Sequence, residues 1–82
     1  MKPAIPLIHD FKSDSLLVIN EHGRIRRLYV PFRVLCIHPS GKIFKDTWVY
    51  VQQISVNEKW QLIYLIAGEF HVYDSFRIYT NA

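Results

Sequence analysis

Residues 48–56 read WVYVQQISV, and the apolar alternation changes parity partway through them. Val49 and Val51 are odd-numbered, whereas Ile54 and Val56 are even-numbered. Successive side chains of a β-strand point to opposite faces, so a straight strand would turn one of these pairs out of the core. A bulge at Gln52–Gln53 reconciles them, because one extra residue shifts the phase and bends the chain sharply. The same alternation turns Trp48 and Tyr50 away from Val49 and Val51. Residues 43–56 therefore read as one long bent strand, too long to lie flat in a small sheet.

The rest of the chain repeats the pattern of short runs of Val, Ile, Leu, Tyr, Phe and Trp between turn residues, which marks strands. Residues 15–20 and 24–30 read as a hairpin about Gly23. Pro31 lacks an N–H and marks an edge, a bulge or a change of sheet. Residues 32–37 continue as a strand apolar on both faces, and Pro39, Ser40 and Gly41 make residues 38–42 a turn. Residues 57–59 join the bent strand to a return strand over 60–66, and Ala67–Gly68 is the next turn. In residues 69–79, EFHVYDSFRIY, Phe70 and Val72 read as one face and Glu69, His71 and Tyr73 as the other. After Asp74 and Ser75, Phe76 and Ile78 face away from Arg77 and Tyr79. Residues 8–16 have polar spacing suited to a short helical turn, and helix content is otherwise expected to be low.

Short strands at about ten-residue spacing, with one bent strand, favour an all-β fold: a small closed or partly open barrel of five to seven antiparallel strands. The expected core includes Val34, Cys36, Val49, Val51, Leu62, Phe70, Val72, Phe76 and Ile78. The ending, a strand, a break at YDS and then FRIY, resembles the last strands of SH3-like barrels, which a single 3₁₀ turn separates. The resemblance covers about the last 35 residues. Signalling SH3 domains carry an acidic, aromatic-rich loop after their first strand. Here that region is basic, so the resemblance implies the architecture without proline-rich ligand recognition.

Eighty-two residues allow one domain, with residues 1–23 as an N-terminal arm packing on a barrel over 24–82. Half of the residues are hydrophobic and 15% are aromatic, which is dense enough for a core and argues against disorder. The single cysteine, Cys36, excludes an intramolecular disulfide framework and fits a reducing compartment. No window approaches the roughly 18 apolar residues of a membrane span, and MKPAIPLIHDF has too short an apolar run for a signal peptide. A soluble, cytoplasmic protein is expected.

Little in the sequence supports catalysis. The histidines at 9, 22, 38 and 71 include no pair at metal-ligand spacing, and no cofactor or metal is expected. Cys36 sits in the apolar run VLCI, where burial keeps a thiol inert. PSGK lacks the first glycine and the Ser/Thr after lysine that a phosphate loop uses. The seven acids are scattered. A non-enzymatic binding module is the expected class.

Charge supplies the positive signal. Net charge is +3, yet residues 24–45 carry six basic groups and no acid, while 1–23 sum to −1 and 46–82 to −2. Arg24, Arg26, Arg27 and Arg33 suit phosphate contacts, and outward Trp48, Tyr50, His71, Tyr73, Arg77 and Tyr79 offer stacking or cationic groups for single-stranded nucleic acid. The alternatives are a protein partner, a second copy of the chain, or cover of the aromatic face by the chain's own N-terminus through Ile5, Leu7, Ile8 and Phe11.

Overall fold

At Gln52 the chain changes sheets. The computed structural model describes residues 3–80, and the side chains of Ile8, His9 and Asp10 lie outside the described set. Among the described residues nine strands follow one another: β1 (Ile5–Lys12), β2 (Ser15–Ile19), β3 (Ile25–Tyr29), β4 (Phe32–Cys36), β5 (Trp48–Val51), β6 (Gln53–Val56), β7 (Leu62–Ile66), β8 (Glu69–Val72) and β9 (Phe76–Ile78). A 3₁₀ turn at Tyr73–Ser75 separates β8 from β9, as expected from the YDS break. The strands make three antiparallel sheets, ordered β1-β2-β3, β5-β4-β9 and β6-β7-β8. The fold is all-β. No helix among the described residues is long and apolar enough to cross a membrane.

The bend behaves as the parity change requires. β5 pairs with β4, β6 pairs with β7, and the Gln52 N–H donates to the Leu65 carbonyl at 2.8 Å between the two ladders. Val51 and Ile54, on either side of the break, are both buried. Pro31 likewise marks a change of sheet, between β3 and β4.

Nine strands exceed the expected five to seven for two physical reasons. The bent strand divides at Gln52, and residues 5–12 form β1 where a helical turn was expected within 8–16. Pairing of β1 with β2 is irregular between Pro6 and Phe11, which suits a proline that has no N–H to give a ladder. Residues 44–47 are not a strand either; Ile43 makes one isolated bridge to Ser40, and Asp46 takes a positive φ of 68°. Among the described residues the three ladders stay separate, so pairing does not close into a barrel.

One core serves all three sheets. Leu16 and Val18 from β2 join Val34 and Cys36 from β4, Leu62, Tyr64 and Ile66 from β7, and Phe76 and Ile78 from β9. Each fully buried aliphatic side chain contributes about 1.5–3 kcal/mol. Tyr64 lies edge-on to Phe32, with ring centroids 6.0 Å apart, and 6.2 Å from Phe76. Two backbone bonds dock the N-terminal sheet: Ala4 N–H to Ile78 O at 2.7 Å and Ile54 N–H to Ser13 O at 2.9 Å.

The faces of β8 are the reverse of those expected. Phe70 is 53% exposed and His71 only 6% exposed, while Val49 and Val72 are half-buried. The turn dictates this. Ala67 and Gly68 both take positive φ, 51° and 82°, in a two-residue loop that sets Ile66 opposite Glu69 and Tyr64 opposite His71. Tyr64 points inward, so His71 does too, and Phe70 is left outside beside Leu65.

Candidate functional site

The outer face of the β5-β4-β9 sheet carries a group of exposed aromatic and cationic side chains, although Phe44, Trp60 and Phe70 are exposed elsewhere. Cross-strand register sets Arg33 opposite Tyr50, and Leu35 opposite both Trp48 and Arg77. Their neighbours Val34, Cys36, Val51, Phe76 and Ile78 are buried, so alternation turns these residues outward. Tyr79 continues the phase of Arg77. The Arg33 guanidinium carbon lies 4.4 Å from the centroid of the Trp48 ring, a cation–π contact. Trp48 also meets Tyr79 edge-on, with centroids 5.9 Å apart at 64°.

Beside these rings runs a groove of about 440 Å³ lined by Leu28, Phe32, Arg33, Leu35, Trp48, Ile78 and Tyr79. Its lining holds one charged side chain, Arg33. Leu28 comes from β3, so the N-terminal sheet builds one wall. That sheet does not roof the aromatic face: its Leu16 and Val18 fill the common core, and Trp48 and Tyr50 remain 45% and 59% exposed.

The structure brings together Arg33, Trp48, Tyr50, Arg77 and Tyr79 of the residues singled out in the sequence. Arg24, Arg26 and Arg27 lie on or beside β3, away from this face. Arg24 and Arg26 are exposed, whereas Arg27 points to the other side of β3, where its Nη1 donates to Ser15 Oγ at 2.9 Å. His71 and Tyr73 do not belong to the outer face. His71 is buried by the register of β8, and Tyr73, at the start of the 3₁₀ turn, is half-buried against the core.

Two features were not foreseen from the sequence. Leu28 reaches the groove only through the packing of one sheet on another. Ser40 Oγ lies 2.7 Å from His71 Nδ1, and the His71 ring stands edge-on to Phe76 at 5.8 Å. This bond ties the turn after β4 to β8, beside a cleft of about 150 Å³ lined by Lys42, Ile43, Ile66, Ala67, Glu69 and His71. The two-residue turn at Ala67–Gly68 was the signal available for His71, since it fixes which face of β8 turns inward.

Cys36 is buried, with its Sγ 3.0 Å from the His38 carbonyl oxygen. Burial raises its thiol pKa, opposed by that backbone bond, and disfavours a reactive thiolate. Among the described residues no three His, Cys, Asp or Glu side chains cluster to hold a metal ion. Compared with protein-family models, with curated proteins and with solved structures, the chain matches none.

Proposed function

We propose that this is a non-catalytic binding module that takes a segment of another protein in the groove between Leu28, Leu35, Trp48 and Tyr79. The observation that carries the reading is the groove itself: about 440 Å³, walled by apolar and aromatic side chains, with Arg33 stacked on Trp48 at its rim. Such a lining suits insertion of an apolar side chain, with the arginine orienting a polar neighbour. The 3₁₀ turn before β9, and the return of β9 beside β4, support a partly open SH3-like barrel with the β1-β2-β3 sheet added to it. The lone cysteine supports work in a reducing, cytoplasmic compartment.

Single-stranded nucleic acid is the second reading, favoured by Arg33 and Arg77 exposed on one face with Tyr50. Against it, the Trp48 ring already carries Arg33, Tyr73 turns toward the core, and three of the arginines belong to another sheet.

Titration separates the two. Peptides selected from a random library, and a mixed-sequence oligonucleotide, are each titrated against wild type and Trp48→Ala at about 50 and 200 mM salt, because phosphate contacts weaken steeply over that range. The protein reading expects peptide binding that depends on Trp48 and weakens far less with salt than phosphate binding does. Oligonucleotide binding that collapses with salt, without any Trp48-dependent peptide, would replace it with the nucleic-acid reading.

A further inference from the structure

β3, whose Leu28 lines this groove, has an open edge, and we propose that the occupant is an extended acidic segment that adds a strand to β3. The inference rests on the groove reading above and names the partner's chemistry. β3 ends its sheet and pairs, among the described residues, with β2 alone. Its hydrogen-bond phase is set at both ends. Asn20 N–H donates to Arg24 O, and Val30 N–H to Asp14 O, each at 2.9 Å. Even-numbered residues of β3 therefore spend their backbone groups on β2, and the alternation of an antiparallel ladder turns those of Ile25 and Tyr29 to the open side. Both residues are well exposed, at 60% and 66%. A row of such groups is a template for strand addition, in which the backbone supplies affinity and side-chain pockets supply specificity.

Side chains then select the partner. Alternation places Arg24, Arg26 and Leu28 on one face of β3, and Leu28 lines the groove. A strand laid along this edge passes its alternate side chains over two exposed arginines and then, about 7 Å further on, over the groove. Opposite charges across a strand pair stabilise it, and like charges destabilise it. A second copy pairing its own β3 here would bring arginines against arginines, so the edge disfavours itself and favours carboxylates. The segment that fits has Asp or Glu at alternate positions opposite Arg24 and Arg26, with an aliphatic or aromatic side chain two residues beyond the one at Arg26, seated beside Trp48.

The probe is a set of peptides of about ten residues, enough to span the five of β3, selected from a random displayed library on the full chain. The best is resynthesised with single backbone N-methyl groups, each deleting one N–H. Strand addition expects an acidic consensus at alternate positions and a loss of about tenfold or more for N-methylation at every second residue. Arg24→Glu with Arg26→Glu should cost a similar factor, while thermal melting verifies that the variant folds. Peptides that need Trp48 but ignore both N-methylation and the charge reversal would overturn strand addition and leave the groove reading standing. If no selected peptide responds to Trp48→Ala, the groove reading fails and this one with it. The arginines would then be a charged guard that keeps an open edge from aggregating.

Discussion

The Ser40 hydroxyl lies 2.7 Å from His71 Nδ1, and this bond joins the turn after β4 to the inward face of β8. Gly41 makes the approach possible. Its φ is +55°, and a Cβ there would stand 3.0 Å from His71 Cε1 and 3.3 Å from a Glu69 carboxylate oxygen. Gly23 has a similar φ of +76° but open space around it. Both alanine variants should therefore lose about 1–2 kcal/mol to left-handed strain, and Gly41→Ala should lose more through the His71 contact. Ser40→Ala leaves a buried ring nitrogen short of its partner, at about 1–3 kcal/mol. Urea midpoints check all three. Equal losses for the two glycines would show that the loop yields freely around His71.

Phe70 and Phe76 test the reversed faces of β8. Phe76 is 6% exposed in the core and touches both Tyr64 and His71, so Phe76→Ala should cost about 3–5 kcal/mol. Phe70 is half in water, and Phe70→Ala should cost about 1 kcal/mol or less. A loss at Phe70 as large as at Phe76 would restore the face assignment that alternation alone suggested.

The error at Phe70 shows where reading the sequence stops. LIYLI, residues 62–66, is apolar on both faces, so periodicity does not say which one is core. The turn does. With Leu62 inward, Tyr64 is inward, and a two-residue loop at Ala67–Gly68 then forces His71 inward as well. The bend at Gln52 was legible as a parity change within one apolar run, and the 3₁₀ turn as the break YDS between two alternating runs. Ile43 and Phe44 were misleading: they look like strand residues, yet Phe44 is 79% exposed in an irregular loop. Within the site, alternation along β4, β5 and β9 located Arg33, Trp48, Tyr50, Arg77 and Tyr79. It had no means of locating Leu28, which meets them through sheet packing far from local pattern.

Stability should fall in alkali. Burial, reinforced by Tyr73, raises the Tyr64 phenol well above its usual 10.0, and burial raises Cys36 above 9.0. Each group keeps its proton in the folded protein at a pH where the unfolded chain has lost it. Their contribution is thus complete below the unfolded values and declines as pH rises above about 9–10, with Tyr64 losing up to about 1.4 kcal/mol per pH unit. Urea midpoints at about pH 8 and pH 11 should differ, and Tyr64→Phe should flatten the decline. A midpoint that stays level between these conditions would contradict the inward placement of the Tyr64 hydroxyl.

Stability and binding should separate at Trp48. The side chain is 45% exposed, and its ring contacts in the structure are the Arg33 guanidinium and the Tyr79 edge. The first contact is worth about 0.5–1 kcal/mol at an exposed site, and the second about 0.5–1.5 kcal/mol. Trp48→Ala should therefore cost about 1–2 kcal/mol of folding stability, well short of the 3–5 kcal/mol or so of a core aromatic. Loss of an anchoring tryptophan from a groove typically costs at least about 2 kcal/mol of binding, or thirtyfold. A folded Trp48→Ala protein that no longer binds its selected peptide is the expected result. An Arg33→Ala/Trp48→Ala double-mutant cycle on stability should then return a coupling of about 0.5–1 kcal/mol. Undiminished peptide affinity in Trp48→Ala would remove this face from the binding surface, whatever the coupling shows.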